Sequence, residues 1–489
     1  MMRKNTILMM MYEVFALLVP LIITPFVSRA LGADGVGYYS YSYSIVLYFI
    51  IAIQLGVKLY GRREIAKVND NIEEYSKTFW EIITIEILLF IVVSATYFIF
   101  LFTHFGADKL LVTLLCIQFI ELVAGLLDIS WLFYGIEDFI TIVIRNLIVR
   151  IVQVVLILFL VNQSDDLVVY TAIMATCNLL GALSMWFRLG NKIVKPSILM
   201  GGIKERILPL LQLFIPVISS ILFSVVDKTI IGSLLGMDSV GCYENSYKIA
   251  KTPVVIITVL GSVLLPRITK LLSDGNDTEA RIYISYSMSV VMMISSALSF
   301  GLCLVAVDFI PLFLGEGFND SIRLLEILSY MILFIGWGNV IRTQYMLPRG
   351  YDKLYTKSVV YASIINIVLS LLLINAMGVN GVAIASLVSE ALICIYSSVK
   401  LRKEIDFKVL IRNNLIYFVA GFLMFVIIKS CRHQIIEHTS LLETLFVEAI
   451  LGAAIYIIFI VAYEIVTHKR VLLKELLNIK DMLFLCIKK

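Results

Sequence analysis

Charged side chains interrupt several long apolar runs in this sequence, and their types indicate what chemistry those runs could support. Asp227 and Lys228 are adjacent in one run, and Arg145 and Arg150 lie five positions apart in another. A charge within hydrocarbon is costly, so such residues usually face a polar cavity or an oppositely charged partner. Because the planar guanidinium group of arginine matches a phosphate or carboxylate group, the chemistry that these residues suggest is anion binding.

Helical spacing limits which of these charges can meet. On an ideal helix Asp227 and Lys228 point about 100° apart and need not pair with each other. Lys228 could bind a phosphate or sugar acid and Asp227 a coupling cation, or both could belong to a structural ion-pair network. Arg145 and Arg150 diverge by roughly 140°, so only one is expected to face a cavity fully. Arg145 could instead extend toward the membrane surface.

Acidic residues in the apolar runs have two candidate roles, pairing with basic groups or coupling to a cation. Glu121 and Asp128 are seven residues apart and therefore share one face of a predicted helix. Pairing with the arginines of the following run is the favoured role, and titration during proton coupling is the alternative. Glu13 and Glu390 have no assigned partner, and either could be a coupling acid.

The resulting hypothesis is a cationic substrate site built from several runs. Its basic candidates lie within or at the end of apolar runs, and they are Arg29, Arg145, Arg150, Lys228, Lys251 and Arg342. The acidic candidates for coupling or pairing are Glu13, Glu121, Asp128, Asp227 and Glu390.

The composition places these residues in a membrane protein. Of the 489 residues, 60% are hydrophobic and 16% are charged, and the mean hydropathy is +0.96. A soluble domain is nearer half apolar and a quarter charged, which excludes a cytosolic enzyme or a secreted domain. The net charge of +4 is carried by dispersed basic residues and does not indicate a nucleic-acid partner. The seven cysteines form no CxxC pair and no phosphate loop is present, so neither a metal nor a cofactor is expected.

About fourteen apolar windows are long enough to cross a bilayer. They lie at residues 7–28, 36–57, 79–102, 110–134, 141–161, 167–187, 207–234, 249–266, 282–307, 324–347, 358–376, 378–399, 413–429 and 441–466. The first window is interpreted as an uncleaved span. Lys and Arg residues are concentrated in every second connection, most clearly in 58–77, 188–206 and 400–412. Cytoplasmic loops carry such an excess of positive charge, so both termini are predicted to be cytoplasmic.

An internal repeat relates the two halves of the chain. Residues 31–45 and 235–249 are offset by 204 positions, and nine of their fifteen residues are identical. Six spans therefore repeat as six spans in the same orientation, a plan found in transporters with the substrate site between the halves. An old duplication without a present mechanism is the alternative. The repeat predicts six-helix bundles at 1–200 and 201–405, two additional transmembrane helices at 406–466 and a basic cytoplasmic tail at 467–489.

Prolines mark two spans that are expected to bend. Pro20 and Pro25 lie in the first span, and Pro209 and Pro216 lie in the seventh, which is its equivalent in the repeat. Proline interrupts the backbone hydrogen-bond ladder and kinks a helix. Bending of these two spans is expected to accompany a switch between inward-open and outward-open states.

Several stretches resemble one family of membrane transporters. These are Ser28-Arg-Ala-Leu-Gly-Ala-Asp-Gly-Val-Gly-Tyr38, Asp227-Lys-Thr-Ile-Ile-Gly232 followed by Gly241-Cys-Tyr243, Gln344 to Gly350, and Gly378-Val-Asn-Gly-Val-Ala-Ile384. In order and spacing they resemble the oligosaccharide (Wzx-type) flippases of the multidrug/oligosaccharidyl-lipid/polysaccharide exporter superfamily. The resemblance implies an all-α fold of about fourteen transmembrane helices, with two six-helix bundles in a V around a central cavity.

The resemblance also implies a function. A flippase of this type carries polyprenyl-diphosphate-linked oligosaccharide units from the inner to the outer leaflet of the cell membrane for capsule, O-antigen or related polymers. Its expected partners are that lipid-linked oligosaccharide, membrane lipids, a polysaccharide polymerase and glycosyltransferases. The alternatives are a multidrug/cation antiporter and a peptidoglycan lipid-precursor flippase of the same superfamily. A membrane enzyme would usually need a large outer loop, which the sequence lacks, so a transporter rather than an enzyme is expected.

Overall fold

The structure is a computed structural model that describes residues 2–68, 71–106, 108–194, 202–438 and 440–467. The described chain is helical and contains no strand. The helices of the first half are α1 (Met2–Gln54), α2 (Val57–Lys67), α3 (Ile72–His104), α4 (Lys109–Leu127), α5 (Ser130–Gly135), α6 (Phe139–Leu160), α7 (Leu167–Phe187) and α8 (Ile203–Leu234). Those of the second half are α9 (Met237–Lys251), α10 (Val254–Ser273), α11 (Asp277–Leu314), α12 (Asp320–Ser329), α13 (Met331–Asn339), α14 (Asp352–Met377), α15 (Val379–Lys400), α16 (Phe407–His438) and α17 (Leu441–Thr467).

Twelve helical segments of the described chain are long and apolar enough to cross a membrane. One of them, Val19–Lys67, has 49 residues, more than twice the roughly 20 that one crossing needs. It contains part of the first predicted span, 7–28, and all of the second, 36–57. The predicted all-α polytopic membrane fold is confirmed, and the number fourteen is approximate. The V-shaped arrangement around a central cavity stays a prediction.

A glycine interrupts α1 between the first two predicted spans. Gly32 has φ 70° and ψ 179°. This backbone conformation breaks the helix, and residues other than glycine rarely adopt it. Its equivalent in the repeat, Gly236, has φ 107° and separates α8 from α9. Each copy of the repeated motif therefore uses a glycine with positive φ to end one helix and start the next.

Two further glycines of the motif lie at a very close backbone approach. A Cβ atom on Gly37 would be 1.7 Å from the carbonyl oxygen of Met237, and one on Gly241 would be 1.9 Å from that of Ala33. Neither position can hold a larger residue unless the backbones move apart. Glycine is thus required here by packing rather than by backbone conformation.

Contacts within the chain group the helices into two compact units, Met1–Gly241 and Cys242–Lys489. In the first unit, α8 packs on α1, α2 and α3. This unit contains a buried cluster of large side chains, with Phe79, Trp131 and Phe133 among its members. The domain boundaries drawn from the repeat stay a prediction, and residues 468–489 of the predicted tail lie outside the described chain.

In the second unit, α11 is the helix on which most others pack. It contacts α10, α12, α13, α16 and α17. Small residues permit a close approach: a Cβ atom on Gly421 would lie 2.6 Å from the Phe300 ring, and Ser296 donates a hydrogen bond to the carbonyl oxygen of Tyr417 at 2.7 Å. The Tyr456 hydroxyl of α17 donates to the Met293 carbonyl oxygen of α11 at 2.8 Å. The two helices beyond the repeat, α16 and α17, are thereby fixed to α11.

Candidate functional site

A polar cavity of about 430 Å³ lies within the first unit. Helices α1, α2, α4, α6 and α7 contribute polar side chains to its wall, and apolar side chains complete the surface. The polar side chains that line it are Tyr43, Gln54, Lys58, Glu121, Asp128, Arg145, Asn146, Arg150 and Asn178. Such a concentration of charged and amide groups among apolar helices indicates a binding site.

Asp128 forms ion pairs with two basic groups at this cavity. Its carboxylate lies 3.2 Å from Lys58 Nζ and 3.6 Å from Arg145 Nη2. Helix α4 ends at Leu127, and Asp128 follows with non-helical φ −78° and ψ 87° before α5 begins. Trp186 Nε1 donates to the Leu127 carbonyl oxygen at 2.8 Å, which satisfies one of the acceptors that this helix end leaves open. The break therefore places a carboxylate between the two cations.

A short turn brings Lys58 to the cavity. Leu55 and Gly56 have φ 38° and 79°, so the chain changes direction after α1 and starts α2 at Val57. Lys58 lies in the first turn of α2, and 54% of its side chain is exposed. Its ammonium group is thus paired with Asp128 while it remains open to a ligand.

A chain of side-chain hydrogen bonds connects the second arginine to the second acid. Arg150 Nη1 donates to Gln153 Oε1 at 3.2 Å, and Gln153 Nε2 donates to Asn178 Oδ1 at 3.1 Å. Asn178 Nδ2 in turn donates to Glu121 Oε1 at 2.8 Å. The amides orient both charged groups without neutralising them through a direct ion pair.

The cations around the cavity have donor capacity to spare. Lys58, Arg145 and Arg150 carry three positive charges against the two acids Glu121 and Asp128 of the lining. The Nε of Arg145 is buried without a hydrogen-bond partner. An anionic ligand could therefore take hydrogen bonds from these groups in place of Asp128. A diphosphate suits this arrangement because guanidinium groups bind phosphate oxygens through paired N–H donors.

The structure brings four of the predicted site residues together at this cavity, namely Glu121, Asp128, Arg145 and Arg150. Both arginines line this cavity, although an ideal helix separates them by roughly 140°. The ideal angle between the residues describes Cα–Cβ directions, whereas the long arginine side chains reach the same space from either side of α6.

Other predicted residues of the first unit lie away from the cavity lining. Asp227 is buried on α8 with 1% exposure and interacts electrostatically with Tyr48 of α1. Lys228 beside it is half-buried. Arg29 is exposed on α1. Pro20 and Pro25 lie inside α1.

The other two predicted helix-bending prolines, Pro209 and Pro216, fall within the range of α8. The side chain of Pro216 lies outside the described part of the structure, and so does that of Glu13 on α1.

The remaining predicted residues belong to the second unit. Lys251 Nζ lies 4.5 Å from the centroid of the Tyr247 ring. Arg342 is in a π-helix at Val340–Met346, and both Arg342 and Glu390 are near Cys394. A π-helix often marks a functional position, because it widens one turn and leaves a backbone acceptor free.

Several residues that line the cavity or interact with its lining are not among the predicted site residues. Lys58 is among the basic residues of the predicted cytoplasmic loop 58–77 and not among the predicted site residues; the Leu55-Gly56 pair, which allows a sharp turn, is the signal that could have pointed to it. Asn178 and Gln153 are neutral, so a search for charges in apolar runs passes over them. Glu86 was also missed: it is buried on α3, one of its oxygens has no hydrogen-bond partner, and Asp128 and Lys58 act on its charge.

Within the described part of the chain, no group of three or more His, Cys, Asp or Glu residues could hold a metal ion.

An ion pair between Lys192 and Asp138 lies outside the predicted membrane helices. Lys192 Nζ lies 2.5 Å from Asp138, which caps α6 through Thr141. Burial raises the pKa of the Asp138 carboxyl, but hydrogen bonds from Lys192 and Thr141 outweigh this and hold the pKa below its usual value.

The helical fold is shared with solved structures of membrane transporters. The structure aligns with the lipid II flippase MurJ at a TM-score of 0.72, with 14% identity, over 95% of this chain and 100% of that one. It aligns with an inward-facing multidrug resistance MATE family transporter of the MOP superfamily at a TM-score of 0.60, with 15% identity, over 81% of this chain and 96% of that one. These similarities establish the fold.

The sequence then identifies the family. The chain belongs to the polysaccharide biosynthesis protein family, whose sequence pattern matches residues 2–273. It is also similar to the putative O-antigen transporter of Escherichia coli (strain K12), with 24% identity over 397 residues that cover 80% of this chain and 94% of the relative. The resemblance stated from the sequence motifs is confirmed.

Proposed function

We propose that this protein flips polyprenyl-diphosphate-linked oligosaccharide units from the inner to the outer leaflet of the cell membrane, for the synthesis of capsule, O-antigen or another surface polysaccharide. The observation that carries the proposal is the polar cavity of the first unit, where Lys58, Arg145 and Arg150 gather among apolar helices. Membership of the polysaccharide biosynthesis protein family and similarity to a putative O-antigen transporter support the same substrate class.

The chemistry of the cavity fits the headgroup of such a lipid. The diphosphate would replace Asp128 as the acceptor for Arg145 and Lys58. The hydroxyl groups of the sugars would find donors and acceptors in Gln54, Asn146 and Asn178, which also line the space. The prenyl chain would stay in the bilayer, because transfer of its apolar surface to a polar cavity would be unfavourable. Transport of this kind makes and breaks no covalent bond, so the protein acts as a transporter and not as an enzyme.

Several further parts of the proposal rest on the sequence. They include a central cavity between two six-helix bundles, to which Arg29, Lys228, Lys251 and Arg342 would add positive charge. Both termini would lie in the cytoplasm, and a polysaccharide polymerase and glycosyltransferases would be partner enzymes. Bending of α1 and α8 at their prolines would accompany the change of access.

Two other functions share the fold. A peptidoglycan lipid precursor also presents a diphosphate, so the cations of the cavity suit it equally. A multidrug/cation antiporter would instead require an acidic cavity. The lining here has three basic and two acidic side chains, which favours an anionic substrate.

The test begins with a host from which the gene has been deleted. Lipid-linked oligosaccharide is expected to accumulate in the inner leaflet, as measured with a probe that does not cross the membrane, and surface polymer is expected to be lost. Normal surface polymer together with increased sensitivity to drugs or cations would instead indicate the antiporter. Continued surface polymer with accumulation of the peptidoglycan precursor would indicate the third function.

Charge-neutral variants then connect the activity to the cavity. Arg145→Gln and Arg150→Gln are each expected to reduce flipping by about tenfold or more, which corresponds to ~1.4 kcal/mol of lost interaction. Arg323→Gln is the matched control, because Arg323 is exposed and pairs with Glu326 on α12. Unchanged flipping in both cavity variants would contradict the role of the cationic cavity.

A further inference from the structure

Three charged residues form a cluster in the second unit, where the two helices beyond the repeat pack on α11. Arg432 of α16 lies between Asp308 of α11 and Glu448 of α17. Its Nη2 donates to Asp308 Oδ2 at 2.8 Å, and its Nε lies 3.6 Å from Glu448 Oε1. The cluster has no part in the polar cavity of the first unit, and the predicted site did not include it.

Glu448 is the residue of this cluster that is least well satisfied. Its side chain has 0% exposure, and neither carboxyl oxygen has a hydrogen-bond partner. The nearest donor, Arg432 Nε, also lacks a hydrogen bond, since 3.6 Å is too long for one. A carboxylate without hydrogen bonds in a dry interior is strongly disfavoured, and the group avoids this cost by taking a proton.

The charge balance leads to the same result. When all three groups are ionised, two carboxylates share one guanidinium and the cluster carries a net charge of −1. The hydrogen bond of Arg432 goes to Asp308, so the uncompensated charge belongs to Glu448. One proton on Glu448 leaves a neutral acid beside a neutral ion pair, which removes most of the desolvation cost.

The described residues around Glu448 offer no other compensation. It lines a cavity of about 460 Å³ whose other walls include Leu298, Leu302, Met424 and Tyr456 and are otherwise apolar or small. The charges that act on Glu448 are those of Arg432 from α16 and Asp308 from α11. Lys429, one turn before Arg432, lies 5.2 Å from the Phe425 ring centroid instead. On its own helix, the nearest acid is Glu443, which accepts hydrogen bonds from Ser440 at the exposed helix start.

We propose that Glu448 is an exchangeable proton-binding site of this protein. Loaded, it is a neutral carboxylic acid. On discharge its O–H bond breaks, the proton passes to water, and the carboxylate takes a hydrogen bond from Arg432 Nε. That donor needs to approach by less than about 1 Å, and it can do so while Nη2 keeps its bond to Asp308.

The position of the site suggests which solution supplies the proton. With both termini in the cytoplasm, as the charge pattern predicts, Asp308 and Arg432 lie in the last two turns of α11 and α16, near the outer ends of these helices. Glu448 lies two turns into α17 from its outer end. The proton would then come from the outer solution, and an inward proton gradient would load the site. The site itself stands on the geometry of α11, α16 and α17; its use in transport rests on the proposed flippase function.

The test measures protonation of Glu448 directly in the full-length protein in lipid nanodiscs. Infrared spectra are recorded from about pH 5 to about pH 9. The expected result is a protonated-carboxyl band that disappears as the pH rises and that is missing in Glu448→Gln. The control variant Glu443→Gln, which removes an exposed acid from the same helix, is expected to keep the band.

A second pair of variants checks that the cluster governs this proton. Asp308→Asn removes the competing carboxylate and frees Arg432 for Glu448, so the band should disappear at a lower pH. Arg432→Gln removes the positive charge, so the band should persist to a higher pH. A structural defect would give no such opposite shifts, and these two variants keep the proposal testable if Glu448→Gln does not fold.

Three outcomes would overturn the proposal. One is a titrating band that persists unchanged in Glu448→Gln, and another is a Glu448 band that does not respond to pH across the range. The third is a band that responds to sodium concentration at constant pH, which would make Glu448 a sodium site. None of these measurements involves the transported lipid, so failure of the flippase assignment and failure of the proton site give different results.

Transport assays also distinguish the role of the proton site from the flippase function itself. In proteoliposomes, an inward proton gradient is expected to accelerate flipping by the wild-type protein at least about tenfold more than by Glu448→Gln. Equal acceleration of both would show that Glu448 does not load the transport cycle.

Discussion

The polar cavity of the first unit and the charged cluster of the second unit bury charge in opposite ways. At the cavity, Asp128 has two cationic neighbours and Glu121 receives a hydrogen bond from Asn178, so both acids of the lining are partnered and the cations are in excess. In the second unit, one guanidinium serves two acids, and Glu448 has no hydrogen bond. A surplus of donors suits an anionic ligand, and a surplus of acceptors suits a proton. The difference teaches that the sign of the unbalanced charge, rather than the number of buried charges, indicates which ligand a site can take.

The largest expected loss of stability follows from removing Asp128, the acid that has two cationic neighbours. Asp128→Asn leaves Lys58 and Arg145 next to each other without a counter-charge. Loss of one partner from a buried ion pair costs about 3–5 kcal/mol, and the exposure of Lys58 reduces this to about 2–3 kcal/mol. Thermal unfolding of the detergent-solubilised protein measures the change. Asp165→Asn, an exposed acid of the same unit, is the control.

A smaller effect is expected from the equivalent change in the second unit. Glu448→Gln replaces a neutral carboxylic acid by a neutral amide of the same shape, so the stability near neutral pH should change by less than about 1 kcal/mol. The same unfolding measurement applies. If Glu448→Gln destabilised the protein as much as Asp128→Asn, then Glu448 would be an ionised partner of Arg432, and the contrast between the units would be lost.

The smallest effect is expected at an ion pair outside the predicted membrane helices, which provides a baseline for both units. Asp138→Asn should cost about 0.5 kcal/mol at neutral pH, because Lys192 is partly exposed to solvent. The pKa of Asp138 is lowered in the folded protein, so its contribution is complete above the ordinary pKa of an aspartate. It is lost as the pH falls through the lowered pKa.

This pH dependence supplies the measurement. The difference in unfolding temperature between the wild-type protein and Asp138→Asn should stay constant above about pH 4 and vanish in more acidic solution. Lys192→Gln removes the same pair and should give a similar difference. A difference that grew toward acidic pH would contradict the stated role of Lys192.

Sequence reasoning was most successful where one physical property dominates. Long apolar runs predict membrane helices, because backbone polar groups in lipid must form hydrogen bonds within the protein and a helix satisfies them within one segment. Charges in those runs are rare, and this rarity directed attention to Arg145, Arg150, Glu121 and Asp128, which do meet at one cavity. The backbone also reflects the repeat found in the sequence, since Gly32 and Gly236 both have positive φ.

The parts of the site that were missed depend on the chain in three dimensions. Lys58 reaches the cavity only because the backbone turns at Gly56, a change that hydropathy does not reveal. Asp308 and Arg432 follow the ends of apolar runs, where charged residues are normally hydrated, and their burial depends on how α16 and α17 pack on α11. A count of charges therefore finds a site in the middle of a span more readily than one at its end.

The glycine contact of the repeated motif has a consequence for the history of the chain. Subtracting the repeat offset of 204 converts Met237 to position 33 and Gly241 to position 37. The approach of Gly37 to Met237 and that of Gly241 to Ala33 are then one contact between positions 33 and 37, made twice with the roles exchanged. Such reciprocity is the signature of an isologous dimer interface. A half-length ancestor could have paired with a second copy of itself through this surface, and fusion of the two genes would have preserved that joint within a single polypeptide.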